Sequence, residues 1–160
     1  MNIIKKCNKK IISIGVTLIV LMANVMPTFA EVINSGDMIK EVYGWDKVKQ
    51  YPYMTSIKKD SKGNVVYCMN AEKPAPDNQE LPFGGYLDDV AYRILKNGYP
   101  NKSLTGDKTK DYVITQLAFW AYVDSKEVNI DNLFVLVNKK EDTTLTKHLK
   151  NLYNKAINDS

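Results

Sequence analysis

Between Lys110 and Val123 the sequence spells a helix with almost no polar face. Val113, Leu117 and Trp120 recur at helical spacing, and Tyr112, Phe119 and Val123 fill most of the remaining sides. A helix of this kind belongs at the centre of a fold, with other elements wrapped around it. It also carries Thr115 and Gln116 into that apolar setting. Both need partners, because an unsatisfied amide there costs about 1–3 kcal/mol.

The segments around it supply the wrapping. Leu87, Val90, Ala91, Ile94 and Leu95 predict a shorter helix stopped by Gly98 and Pro100, and Leu145 to Ile157 predicts a last one. Asp88 and Asp89 fall in the first turn of the shorter helix. Carboxylates there complement the helix dipole, which accounts for them without catalysis. Tyr53 to Ile57 and Val65 to Met69 are rich in β-formers and flank the turn residues Asp60 to Asn64, so they predict a hairpin. Strand alternation would set Val65, Tyr67 and Met69 on one face and Val66 and Cys68 on the other. The Asp60 turn lacks the repeated acids and distal Glu of a calcium loop. Residues 31–50 show no clear period, and Glu41 to Trp45 reads as a loop with one aromatic anchor. Lys73 to Gly85, rich in Pro and Gly, is a second loop, and Leu133 to Val137 fits either a strand or a helix.

The N-terminus reads as a secretory leader. Lys5, Lys6, Lys9 and Lys10 precede the apolar run Ile11 to Met22, and Thr28-Phe29-Ala30 has small residues where a signal peptidase cuts. The apolar run is too short for a comfortable membrane span. Cleavage after Ala30 would leave 130 of the 160 residues, room for one modest core. It would also remove four of the 22 basic residues and no acid, leaving 18 of each sign. A neutral domain with no basic cluster is a poor nucleic-acid binder, since the sequence-independent part of that binding is phosphate neutralisation.

Loss of the leader takes Cys7 with it, so Cys68 remains as a single cysteine in an exported domain and no disulfide can staple the fold. Such a residue is either a small buried hydrophobe or a thiol kept for chemistry. His148, the only histidine, offers a base for a thiol hydrolase, but no protease signature surrounds Cys68. No His, Cys and acid cluster has metal-ligand spacing, and no phosphate loop is present. A second chemistry suits a lone thiol. It can displace ammonia from a glutamine side chain, leaving an internal thioester that an outside nucleophile later opens. That needs a cysteine and a glutamine in contact inside an apolar, aromatic shell. Gln116 and Cys68 are the residue types required.

Two motifs then match a family. Tyr67-Cys68-Met69 resembles the cysteine motif of the thioester domains of Gram-positive surface adhesins: an aromatic or Leu, then Cys, then an apolar residue. Thr115-Gln116-Leu117-Ala118-Phe119-Trp120-Ala121-Tyr122-Val123 resembles their second motif, the hallmark of what is also called the TQXA domain. The resemblance covers roughly residues 40–125. It implies Cys68 as the thioester nucleophile, support of the site by Thr115 and Gln116, and shielding or packing by Tyr67 and Trp120. In the family the acyl donor is usually a glutamine of a third motif near the domain's end. Here the glutamines are Gln50, Gln79 and Gln116, so either the domain is truncated at its C-terminus or Gln116 is itself the donor.

The expectation is an α+β single domain over residues 31–160, with antiparallel strands carrying the cysteine packed against a small helical subdomain. The resemblance further implies a secreted protein, or a cell-surface one if a longer product carries a wall anchor. Its partner would be a host cell-surface or matrix protein, bound covalently through an amine nucleophile. The reaction would be a single turnover, so no enzyme, and no metal or cofactor is called for. A non-covalent interaction module and a Cys68–His148 hydrolase are the alternatives.

Overall fold

The computed structural model describes residues 31–73, 79–81 and 86–159; the expected leader and its cleavage site lie outside them. Eight strands and three helices are described: β1 (Glu31–Met38), β2 (Val42–Asp46), β3 (Tyr51–Tyr53), β4 (Ser56–Lys59), β5 (Val65–Val66), β6 (Gln79–Leu81), α1 (Asp89–Asn97), α2 (Lys108–Val123), β7 (Leu133–Val137), β8 (Lys140–Glu141) and α3 (Thr143–Asn158). The strands form two antiparallel sheets, ordered β5-β4-β1-β6 and β3-β2-β7-β8. This is the α+β architecture expected.

Helix α2 is the centre of it. Every residue from Asp111 to Ala121 is buried, and the helix packs against α1, α3 and β2. Burial on all sides explains why the segment has no polar stripe. Gly44 in β2 lets the second sheet lie directly on this helix. A Cβ there would stand 2.6 Å from Leu117 Cδ2, so a larger residue would force the Leu117 side chain to repack. Gly98, just after α1, approaches as closely: a Cβ would stand 2.5 Å from both Thr115 Cγ2 and Thr115 Oγ1.

Each helix starts on an aspartate. Asp88 accepts from Ala91 N–H, Asp107 from Thr109 and Lys110 N–H, and Asp142 from Leu145 N–H. Asp88 is thus an N-cap, and its carboxyl is held below the usual range chiefly by the Ala91 N–H.

Three expectations need correcting. Glu41 to Trp45 is not a loop but lies largely in β2, and the unassigned residues before it hold β1. Strand β2 is buried on both faces and so shows no alternation. The hairpin exists, with Lys58 opposite Val66 and Lys59 opposite Val65, but its first strand is Ser56–Lys59 rather than Tyr53 to Ile57, Tyr53 belonging to β3 of the other sheet, and its second strand ends at Val66. Because the chain leaves the ladder there, alternation does not carry through to Met69: Tyr67 and Cys68 both pack on the core, while Met69 is 60% exposed. Finally, the loop expected from Lys73 to Gly85 contains β6, which pairs with β1. Leu133 to Val137, left open between strand and helix, is β7, paired with β2.

Candidate functional site: the Cys68 segment on the central helix

Cys68 sits two residues beyond the end of β5, in a segment without ladder hydrogen bonds. What holds it is a side chain. The Gln116 amide lies flat along the cysteine's main chain: its Oε1 accepts from Cys68 N–H at 2.9 Å, and its Nε2 donates to the Cys68 carbonyl at 2.8 Å. Gln116 is fully buried. The cyclic pair therefore satisfies an interior amide and a loose backbone segment at once, as the accounting of buried polar groups requires. The cysteine thiol points elsewhere. Its Sγ donates to Asn70 O at 3.2 Å.

Further bonds fix the segment on either side. Tyr67 stacks on Tyr112 with ring centroids 5.0 Å apart and 16° between planes, and tilts against Phe119. Its hydroxyl donates to Tyr99 O, while the Tyr112 hydroxyl donates to Val66 O at 3.2 Å. Burial pushes both phenols well above their ordinary pKa, so they remain neutral donors. Downstream, Ala71 N–H donates to Asp124 Oδ2 at 2.8 Å, tying the segment to the end of α2. Thr115 works one step further back. Its hydroxyl donates to Asp111 O and accepts from Tyr99 N–H, holding the carbonyl on which Tyr67 rests.

Cys68 borders an open cavity of about 370 Å³, together with Thr55, Ser56, Lys58 and Trp120. Trp120 is 3% exposed, as a helix apolar on all sides requires, and its Nε1 has no hydrogen-bond partner among the described residues. Lys58 is also 3% exposed. Its Nζ donates to Thr55 Oγ1 and Ser56 O, with no carboxylate paired to it among the described residues, and burial lowers its pKa.

The structure thus brings Tyr67, Cys68, Thr115, Gln116 and Trp120 together. It does not bring His148 to them. That residue is half-buried on α3, which packs on α1, α2 and β7, and it does not line the Cys68 cavity. Among the described residues no group of three His, Cys, Asp or Glu is placed to hold a metal, and no helix is long and apolar enough to cross a membrane. Sequence reasoning missed Lys58, Asp124 and Asn70. The lysine gave no signal, because it sits in a four-residue strand whose pattern reads as half exposed.

A family model for the thioester domain matches residues 65–160, more than half of the chain. Among solved structures, the chain is similar to the TIE protein of Bacillus anthracis, with a TM-score of 0.70 and 26% identity over 82% of this chain and 24% of that one. It is also similar in fold to the thioester domain of the Enterococcus faecium TIE86 protein, with a TM-score of 0.66 and 23% identity over 85% of this chain and 52% of that one. The chain therefore spans about a quarter and about half of these two structures. No curated protein matches it.

Proposed function

Because the chain belongs to the thioester domain family, we propose that Cys68 is the thiol of an acyl-thioester through which a secreted or cell-surface protein attaches covalently to its partner. The observation that carries this reading is the two-point grip of Gln116 on Cys68 at the edge of an open cavity. It holds a thiol in a fixed place where an incoming group can reach it.

The partner chemistry is a primary amine, as on a lysine of a host cell-surface or matrix protein. The amine nitrogen attacks the acyl carbon, the carbon–sulfur bond breaks, the thiolate leaves, and the surplus proton passes from nitrogen to sulfur or solvent. One amide forms and one thiol is released. The site is then spent, so this is attachment rather than turnover. Trp120 lines the cavity beside Cys68 and, with Tyr67 packed behind the cysteine, limits hydrolysis of the acyl group.

Gln116 is the positioning residue in this scheme, not the acyl donor. Both polar atoms of its amide are engaged with the Cys68 main chain, while the thiol turns to Asn70. A donor carboxamide has to present its carbon to the sulfur.

The test uses the protein at the length its own gene specifies, incubated with host-cell surface protein and resolved after boiling in denaturant. An adduct formed by the wild type and lost in Cys68→Ala is the expected result. Capture that survives Cys68→Ala points to a non-covalent module. Repeated turnover of a substrate, abolished by His148→Ala, would point to a hydrolase.

A further inference from the structure

Lys58 is a cation placed where cations are costly. It is buried, and its Nζ donates to two neutral acceptors, Thr55 Oγ1 at 3.2 Å and Ser56 O at 3.1 Å. Among the described residues the ion pairs join Lys47 to Glu141 and Lys49 to Glu127, and neither reaches Lys58. Lysine is almost never fully buried unless it is paired. The charge that it does meet is shown by its surroundings. Lys58 stands opposite Val66 in the β4–β5 ladder, two residues before Cys68, and Lys58 and Cys68 line the same open cavity. The other ionisable side chains on that wall, among the described residues, are Tyr51, Glu72 and Lys73. All three are exposed, and the Glu72 carboxyl is hydrogen-bonded to Glu127. Behind the wall, Tyr112 bonds Val66 O as a neutral phenol. Burial lowers the Lys58 pKa, and the group that pulls it back up is the Cys68 thiolate.

We propose that Lys58 supplies the counter-charge for the Cys68 thiolate, both when that sulfur is acylated and when an amine later releases it. This rests on the reading of Cys68 as the acyl-carrying thiol and adds the group that makes it a nucleophile and then a leaving group. For acylation, the thiol gives its proton to solvent and the sulfur pair attacks a carbonyl carbon, which consumes the thiolate charge. When an amine opens the acyl group, the carbon–sulfur bond breaks with its pair on sulfur, and the surplus proton leaves nitrogen for solvent. A cation fixed in a partly buried site favours thiolate over thiol in both steps. It does so more strongly than a surface lysine, whose field water and salt screen.

The test reads the local charge at the sulfur. Methylamine first opens any thioester, and the freed thiol is then labelled with sulfonatoethyl or trimethylammonioethyl methanethiosulfonate, reagents of similar size and opposite charge. In each case the thiolate attacks the sulfenyl sulfur, a disulfide forms and methanesulfinate leaves. Peptide mapping assigns the label to Cys68. The readout is the ratio of the anionic rate to the cationic rate, because a change in exposure alone moves both. Lys58→Met should lower that ratio about tenfold, whereas Lys73→Met, which removes an exposed charge from the same rim, should leave it within about twofold. With neutral iodoacetamide, the midpoint of the pH–rate profile should move to higher pH in Lys58→Met, since the thiolate has lost its cation. Should Lys58→Met unfold, Lys58→Gln makes the same predictions. Labelling of Cys68 with an unchanged ratio in the Lys58 variant, or a ratio governed by Lys73 instead, overturns this inference alone. A Cys68 thiol that neither reagent labels in the folded wild type overturns both this inference and the reading beneath it.

Discussion

The two halves of α2 treat buried polarity in opposite ways. In the N-terminal half the two carboxylates close on their own neighbourhood, while the Tyr112 hydroxyl reaches back to Val66 O. Asp107 caps the helix, and the Asp111 carboxylate gathers Ser103 Oγ, Leu104 N–H, Thr105 N–H and Thr105 Oγ1 at 2.6–3.0 Å. That end is a structural clamp on the preceding loop. In the C-terminal half, Gln116 reaches 48 residues back to Cys68, Asp124 reaches 53 back to Ala71, and the Trp120 N–H reaches no acceptor among the described residues. The aspartates of the first half hold the preceding loop, while Tyr112, Gln116 and Asp124 hold the segment around Cys68, which has no ladder of its own. Burial therefore does not tell structural polarity from functional polarity here. The identity of the partner does: the groups that serve the site are those bonded to residues 66–71.

This contrast can be broken by substitution. The largest effect belongs to Trp120→Ala, which empties a large buried volume and should cost about 3–5 kcal/mol by denaturant unfolding. Native-like stability in that variant would put the C-terminal half at the periphery. Asp111→Ala comes next, at about 3 kcal/mol, since it strands two backbone N–H groups and two hydroxyls of the loop; thiol alkylation should hardly change. Gln116→Ala should cost about 2 kcal/mol and, unlike Asp111→Ala, should visibly change the Cys68 alkylation rate, because both main-chain partners lie at the cysteine. Equal reactivity in the Asp111 and Gln116 variants would erase the distinction between the two ends.

The smallest expected effect is a gain. Lys58 has its pKa lowered in the fold, so between that value and 10.5 the unfolded chain holds more protons and stability of the wild type rises with pH. Below the folded value the full cost of burying the charge is borne. Lys58→Met should therefore stabilise at pH 7 by about 1 kcal/mol, with the gain shrinking as pH approaches 10.5. A pH-independent difference, or a loss at pH 7, would show that the bonds to Thr55 and Ser56 outweigh desolvation.

Much of this molecule is legible in its sequence because helices carry their own punctuation. The apolar surround of α2 and the stops after α1 fall where periodicity puts them. Strands were harder. Strand β2 is covered on both faces, so no alternation marks it, and Gly44 and Asp46 interrupt its β-formers Val42, Tyr43 and Trp45. The pairing of Cys68 with the second-motif helix was readable from residue types. The form of the contact was not, because whether a glutamine grips a backbone or offers its carbon to a thiol depends on side-chain direction. Lys58 was invisible for the same reason: two residues from Ser56 on a four-residue strand, it faces inward by register alone.

The central claim is that Gln116 holds Cys68 in place and does not acylate it. Peptide mapping of the purified protein, before and after methylamine, tests it directly. The account predicts that Gln116 keeps its carboxamide in both samples, and that any methylamine adduct appears on another residue. A loss of about 17 Da mapped to a Cys68–Gln116 cross-link, with N-methylglutamine appearing at position 116 after treatment, would contradict it.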